Sequence, residues 1–390
     1  MERNFDEIVN RYHTNSVKYD LIQENNKPED VIPMWVADMD FKVPVAVEEA
    51  VTKVAQHGIY GYSSCPDSYY EAVIQWFGTR FDTKIDKDWI VTTPGVVTAI
   101  GMAIRAFTNE LDGVMIQRPV YYPFGMMIER NNRRIVNCPL QLKEQSYEMD
   151  FELMDSLMTQ ENVKMFILCN PHNPVGKVWR KEDLEKVVEI CKKHQVLIVS
   201  DEIHCDFVYS GFQHHMLLKI APEYQDQMIT CTAPSKTFNL AGMQTSNIFI
   251  PDEVKRVRFV EEMDKVAAGM VSPMGMAACE AAYRHGFTWL EELKIYLEEN
   301  RKFIEDFLAK EIPKVSLLPL EGTYLVWFDF RQLGLTNDEL ETMVVDKMKL
   351  WFDGGIMFGE EGIGFQRMNI ACPRSVIEKA MNQMKNGLGI

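Results

Sequence analysis

Short continuous apolar runs alternate along the chain with amphipathic segments. The runs fall near residues 114–117, 165–169, 196–200, 228–232 and 247–250, and each reads as a buried strand. Between them lie stretches such as Arg180–His194, whose apolar positions recur at helical spacing. This alternation predicts an α/β layer structure, with a mainly parallel, mixed central sheet flanked by helices. From about residue 286 the character changes. A long charged helix is predicted over Trp289–Lys310, followed by Tyr324-Leu-Val-Trp-Phe-Asp-Phe330, a strand suited to a smaller α+β domain. The expected organisation is an N-terminal segment, 1–42, that packs with the small domain, then a large domain over 43–285 and a small domain over 286–390. No internal repeat or low-complexity tract interrupts it.

Three of the predicted strands end in groups with matching chemistry. After Gln227-Met-Ile-Thr-Cys-Thr232 comes Ala233-Pro-Ser-Lys236-Thr, a lysine held by small and hydroxyl residues. An amine so placed suits a Schiff base with an aldehyde, and the cofactor implied is pyridoxal 5′-phosphate (PLP). The run Val196-Leu-Ile-Val-Ser ends in Asp201, which would pair with the pyridinium nitrogen and keep the ring an electron sink. Met165-Phe-Ile-Leu-Cys runs into Asn170-Pro-His-Asn173-Pro-Val-Gly176, where the Asn173 amide would donate to the cofactor's 3′ oxygen. Each signal has an ordinary alternative when taken singly: a solvated lysine, an acid at a strand end, an Asn-Pro turn. Their order along one chain is what makes them cohere.

These motifs resemble PLP enzymes of fold type I, in the aminotransferase class I/II group, nearly from end to end. More narrowly, Trp35-Val-Ala-Asp-Met-Asp-Phe41, Pro119-Val-Tyr-Tyr-Pro-Phe124, Ser200-Asp-Glu-Ile-His204 and Phe358-Gly-Glu-Glu-Gly-Ile-Gly-Phe365 look like the carbon–sulfur β-lyase branch. That branch includes cystathionine β-lyases and cysteine desulfhydrases of the cystalysin type. The resemblance implies that Lys236 holds the cofactor and then moves the Cα proton. It places Tyr121 on the pyridine ring and Tyr122 near the leaving group as a proton relay, although an aromatic pair is also an ordinary core feature.

Phosphate binding would fall to Trp89-Ile-Val-Thr-Thr-Pro-Gly95 and the helix that follows, through the backbone of Val96 and Val97. Hydroxyls of Ser235 and Thr98 would add to it, with Tyr62 reaching in from the neighbouring subunit and Tyr60 an adjacent competitor. Arg367 would grip the substrate's α-carboxylate bidentately, with Asn173 beside it and the Ala37 backbone closing over the amino acid. Two positions depart from the broad aminotransferase pattern. His204 stands where many relatives have tyrosine, and Gln244 stands where a phosphate-binding Arg or Lys is frequent.

The activity implied is β-elimination. L-cystathionine would give homocysteine, pyruvate and ammonia; L-cysteine would give sulfide, pyruvate and ammonia. An aminotransferase shares the first half of that pathway and is the alternative, although no second arginine stands out for a distal carboxylate. Some members of the lyase branch modulate a sugar-uptake regulon, so a regulatory protein partner is a further alternative; nothing in the sequence marks a surface for one. The resemblance also implies a homodimer with shared active sites.

Composition narrows the partners. Fifty-seven acids against 41 Lys plus Arg give a net charge of −16, which argues against nucleic acid or an anionic membrane. The eight cysteines include no C-x-x-C, and Cys169 and Cys205 adjoin the proposed cofactor strands, so all read as reduced thiols. With no apolar leader over Met1–Glu7 and no apolar run of spanning length, the expected location is cytoplasmic. His214-His215 is the one histidine pair and lacks partners at ligand spacing, so no metal is expected.

Overall fold

A computed structural model describes residues 3–390. Its central sheet has seven strands: β1 Ile90–Thr93, β2 Gly113–Ile116, β3 Arg134–Asn137, β4 Val163–Cys169, β5 Leu197–Asp201, β6 Met228–Thr232 and β7 Ser246–Phe249. Their spatial order is β1-β7-β6-β5-β4-β2-β3. Neighbours from β6 to β3 are parallel, whereas β7 runs antiparallel to both β1 and β6. Helices cover both faces, which is why the strands read as unbroken apolar runs. In β4 the side chains alternate between two cores. Met165, Ile167 and Cys169 pack with Ile100 and Ile104 of α1 (Val96–Phe107), while Phe166 and Leu168 face the side of Leu184 and Val187 on α2 (Lys181–His194).

A third helix, α3 (Phe287–Glu311), leads to a four-stranded antiparallel sheet. It comprises β8 Ser316–Leu317, β9 Leu325–Asp329, β10 Asp353–Gly354 and β11 Phe365–Asn369, in the order β8-β9-β11-β10. Near the amino terminus, Ile32–Pro33 pairs in parallel with Leu350–Trp351, and the Trp35 and Trp351 rings stack 4.5 Å apart.

Two differences from the expected elements have physical causes. Strand β3 escaped the apolar pattern because it lies at the sheet edge, where Arg134 is exposed and only Val136 is buried. Strand β5 extends to Asp201 because the β5–β6 ladder continues that far, pairing Asp201 with Cys231. The acid is thus inside the sheet rather than just beyond it.

Candidate active site

In a parallel sheet the carboxyl ends of the strands share one edge, and ligands bind outside it. Here β1, β4, β5 and β6 deliver their loops to that edge. The reversed strand β7 brings its amino end there too, so Gln244, Thr245 and Ser246 join Asn173, Asp201, Ser235 and Lys236 around a cavity of about 180 Å³.

Lys236 rides on a single helical turn, Pro234–Thr237, directly after β6. The turn is pinned from behind, because Thr237 Oγ1 donates to Asp206 Oδ2 at 2.8 Å and Arg80 Nε holds Asp206 Oδ1 at 2.8 Å. Lys236 Nζ donates to the Ala37 carbonyl at 2.8 Å, and the Tyr324 hydroxyl donates to the same oxygen at 2.9 Å. Burial, helped by the charge of Arg367 and opposed by Asp38 and Asp201, brings the lysine down to about 8. An amine so tuned has a substantial neutral fraction near physiological pH, which nucleophilic and proton-transfer roles require.

Asp201 is 4% exposed, and its Oδ1 accepts from the Ile203 N–H at 3.1 Å. Burial pushes its carboxyl up to about 7, against the lowering effects of that N–H and of Lys236. A carboxyl so short of counter-charge is suited to a cationic ring nitrogen.

Arg367, on β11, is 3% exposed and held by three acceptors. Nη1 donates to Asn173 Oδ1 at 3.0 Å, and Nη2 donates to the Trp35 carbonyl at 2.9 Å and to Asp353 Oδ2. Its guanidinium carbon lies 4.9 Å from the Phe358 ring centroid, and its buried Nε has no partner. Asn173 therefore presents its oxygen to Arg367, which leaves its Nδ2 donor for another group.

The N-cap of α1, Gly95, supplies no side-chain cap. The N–H groups of Val96, Val97 and Thr98 consequently open onto the cleft, with Ser235 and Gln244 nearby. His204 is buried on the cleft wall with Nδ1 unpartnered, and burial holds its imidazole well below the usual range, so it is neutral. Tyr121 lines the cleft and its N–H donates to the Asn173 carbonyl at 3.0 Å. Its loop is tied down by His172, whose Nε2 donates to the Pro119 carbonyl at 2.9 Å.

Tyr122 faces a neighbouring cavity with Phe358 rather than the main cleft. Tyr62 is 95% exposed and stands away from the cleft of its own chain; Tyr60 is also exposed, with its hydroxyl on the Ala55 carbonyl at 3.0 Å. Sequence reasoning missed Tyr324 and Asp353 as site residues. Elsewhere, His214 Nε2 donates to Glu202 Oε2 at 2.7 Å, and all eight cysteines are free. Among the described residues no His/Cys/Asp/Glu cluster could hold a metal ion, and no helix is long and apolar enough to cross a membrane.

The uncapped helix end, the under-compensated Asp201 and the orphaned His204 Nδ1 together fit PLP, which carries a phosphate, a basic ring nitrogen and a phenolic oxygen. The sequence profile of aminotransferase class I and II matches residues 29–384. Cystathionine beta-lyase PatB of Bacillus subtilis is 41% identical over 385 residues, covering 99% of this chain and 100% of that protein. The PLP-containing crystal structure of cystalysin from Treponema denticola superimposes with a TM-score of 0.97 at 38% identity, covering 100% of this chain and 99% of the other. The PLP-bound C–S lyase from Staphylococcus hominis gives 0.92 at 33% identity, covering 100% and 98%. By fold, by site and by a match across most of its length, the chain belongs to the aminotransferase class I and II family.

Proposed function

We propose that this protein is a PLP-dependent carbon–sulfur lyase. It converts L-cystathionine and water to L-homocysteine, pyruvate and ammonia, and L-cysteine and water to sulfide, pyruvate and ammonia. The observation that carries the choice is the end-to-end likeness to a cystathionine β-lyase, PatB, at 41% identity.

PLP, when bound, supplies a carbonyl carbon that condenses with amines and a protonated ring that draws electron density away from the substrate's Cα. The chain's own residues do the rest. Val96 and Val97 hold the phosphate through backbone N–H groups at the α1 terminus, with Ser235 and Thr98 adding hydroxyls. Asp201 retains the proton on the ring nitrogen. Asn173 Nδ2 and His204 address the phenolic oxygen, and Tyr121 packs on the ring face.

Arg367, whose buried Nε is still without a partner, takes the α-carboxylate and so turns the Cα–H bond towards Lys236. Lys236 removes that proton, and the Cβ–S bond breaks with its electron pair leaving on sulfur. Tyr122 is the proton relay for the departing thiolate. Ala37 and Tyr324 close the cleft over the reacting carbon. The working unit is a homodimer in which Tyr62 of one subunit completes the phosphate site of the other, consistent with its exposure in the single chain.

The test is turnover of L-cystathionine by PLP-loaded protein without any keto acid, following pyruvate and free thiol together. Equal appearance of both is expected. Neither product, with pyridoxamine phosphate accumulating, would assign the protein to the aminotransferases instead.

A further inference from the structure

A second cavity, of about 300 Å³, adjoins the main cleft and shares Tyr121 with it as a wall. Tyr122 and Phe358 line it, and the Phe358 ring is the one that lies against Arg367. A substrate with its α-carboxylate on Arg367 therefore has this slot beside it for whatever hangs from Cβ. Two opposite charges, Arg118 and Glu129, also line the slot.

The local backbone makes room for Arg118. A Cβ on Gly359 would lie 2.7 Å from Arg118 Cδ, and one on Gly125 would lie 3.5 Å from its Nη2. Glu129 follows Gly125 by one turn on the helix Pro123–Arg130, so it occupies the same face. The two charged groups do not neutralise each other, and among the described residues the Arg118 guanidinium has no hydrogen-bond or ion-pair partner. Glu361, which also borders Gly359, accepts from Asn137 Nδ2 through Oε1 at 2.6 Å, while its buried Oε2 has no partner and makes no ion pair with Arg118. A slot of mixed polarity, lined by aromatic rings and by an unpaired cation and an unpaired anion, is complementary to a thioether that ends in an amino acid.

We propose that this cavity is a subsite for the leaving-group half of such a thioether, with Arg118 binding its distal carboxylate and Glu129 its distal ammonium. The proposal deepens the lyase reading and rests on it. It makes the enzyme selective for thioether substrates with a zwitterionic tail over cysteine and simple S-alkyl cysteines, which have no group to reach Arg118.

Steady-state kinetics of the PLP-loaded protein on L-cystathionine and on S-ethyl-L-cysteine test it, since both break a Cβ–S bond but only one carries the tail. Arg118→Met is expected to raise KM for L-cystathionine about tenfold or more, with kcat within about twofold, because a charge-assisted bidentate contact is lost. KM for S-ethyl-L-cysteine is expected to stay put, which also shows that the variant is folded. Arg118→Lys should recover part of the loss, and Glu129→Gln should raise the same KM by a smaller factor. An Arg118→Met enzyme with an unaltered KM for L-cystathionine, or with equal losses on both substrates, overturns the subsite. A wild-type protein that cleaves neither substrate overturns the lyase reading and the subsite together.

Discussion

Asp201 and Lys236 are buried in opposite senses, and each leaves a mark on stability. Asp201 titrates near 7 in the fold, above its ordinary value of 3.8. Between those values the folded chain binds more protons than the unfolded one, so stability without cofactor falls as pH rises from about 4 to about 7. By linkage the full effect is on the order of 4 kcal/mol. Asp201→Asn should flatten that slope in urea titrations of the cofactor-free protein. Lys236, lowered to about 8, works the other way: its penalty is present below that value and is relieved as pH rises towards 10.5. Lys236→Ala should abolish turnover and the visible band near ~420 nm that a lysine-bound PLP gives; a fully active, yellow variant would dismiss the lysine from its role. Both residues, with Asn173, were legible because each lies within four positions of the end of an apolar run. Asp353 and Tyr324 were not. Asp353 meets Arg367 as its cross-strand partner in the β10–β11 pair, and nothing in the sequence sets that register. Tyr324 was readable only as the start of a strand; its hydroxyl reaches a carbonyl 287 positions away.

Among the elements, the two short turns Gly355–Phe358 and Glu360–Gly362 position more than their length suggests. They fold tightly on each other, and a Cβ on Gly362 would sit 2.1 Å from the Gly355 carbonyl oxygen. The first turn ends in Phe358, against Arg367, and the second leads into β11, which carries Arg367. Gly362→Ala should therefore cost about 2 kcal/mol of stability by overpacking and raise KM for the amino acid. Chemical denaturation alongside kinetics would measure both. Gly78→Ala, on the helix Asp67–Phe81, is the control, since the nearest atom to its added carbon is 4.0 Å away. The central strands and α2 were legible because burial on two faces, or on one helical face, writes itself into the order of apolar residues. The reversal of β7 was not, since an apolar run carries no direction, yet that reversal is what brings Gln244 and Ser246 to the cofactor edge.

At the scale of the whole molecule, a shared active site makes a distinctive prediction. Lys236→Ala and Tyr62→Ala chains should each be impaired alone. If Tyr62 acts across the interface, unfolding and refolding them together should restore about a quarter of wild-type activity, since half the dimers are mixed and each has one intact site. No recovery on mixing, or full activity in a monomer seen by sedimentation, would place every needed group in one chain. Within that chain the two ends are stitched together: Arg367 Nη2 reaches the Trp35 carbonyl across 332 positions, and Asn369 Nδ2 holds the Val36 carbonyl at 2.7 Å. A ribosome therefore releases the segment around Trp35 well before its binding partners, 332 positions further on. At roughly 5–20 residues per second, the wait is on the order of half a minute, so the nascent chain can complete its central sheet well before it owns a substrate site. Activity then waits on the synthesis of Arg367 and Asn369, and a chain cut short before them would be inert towards amino acids even with every central strand in place.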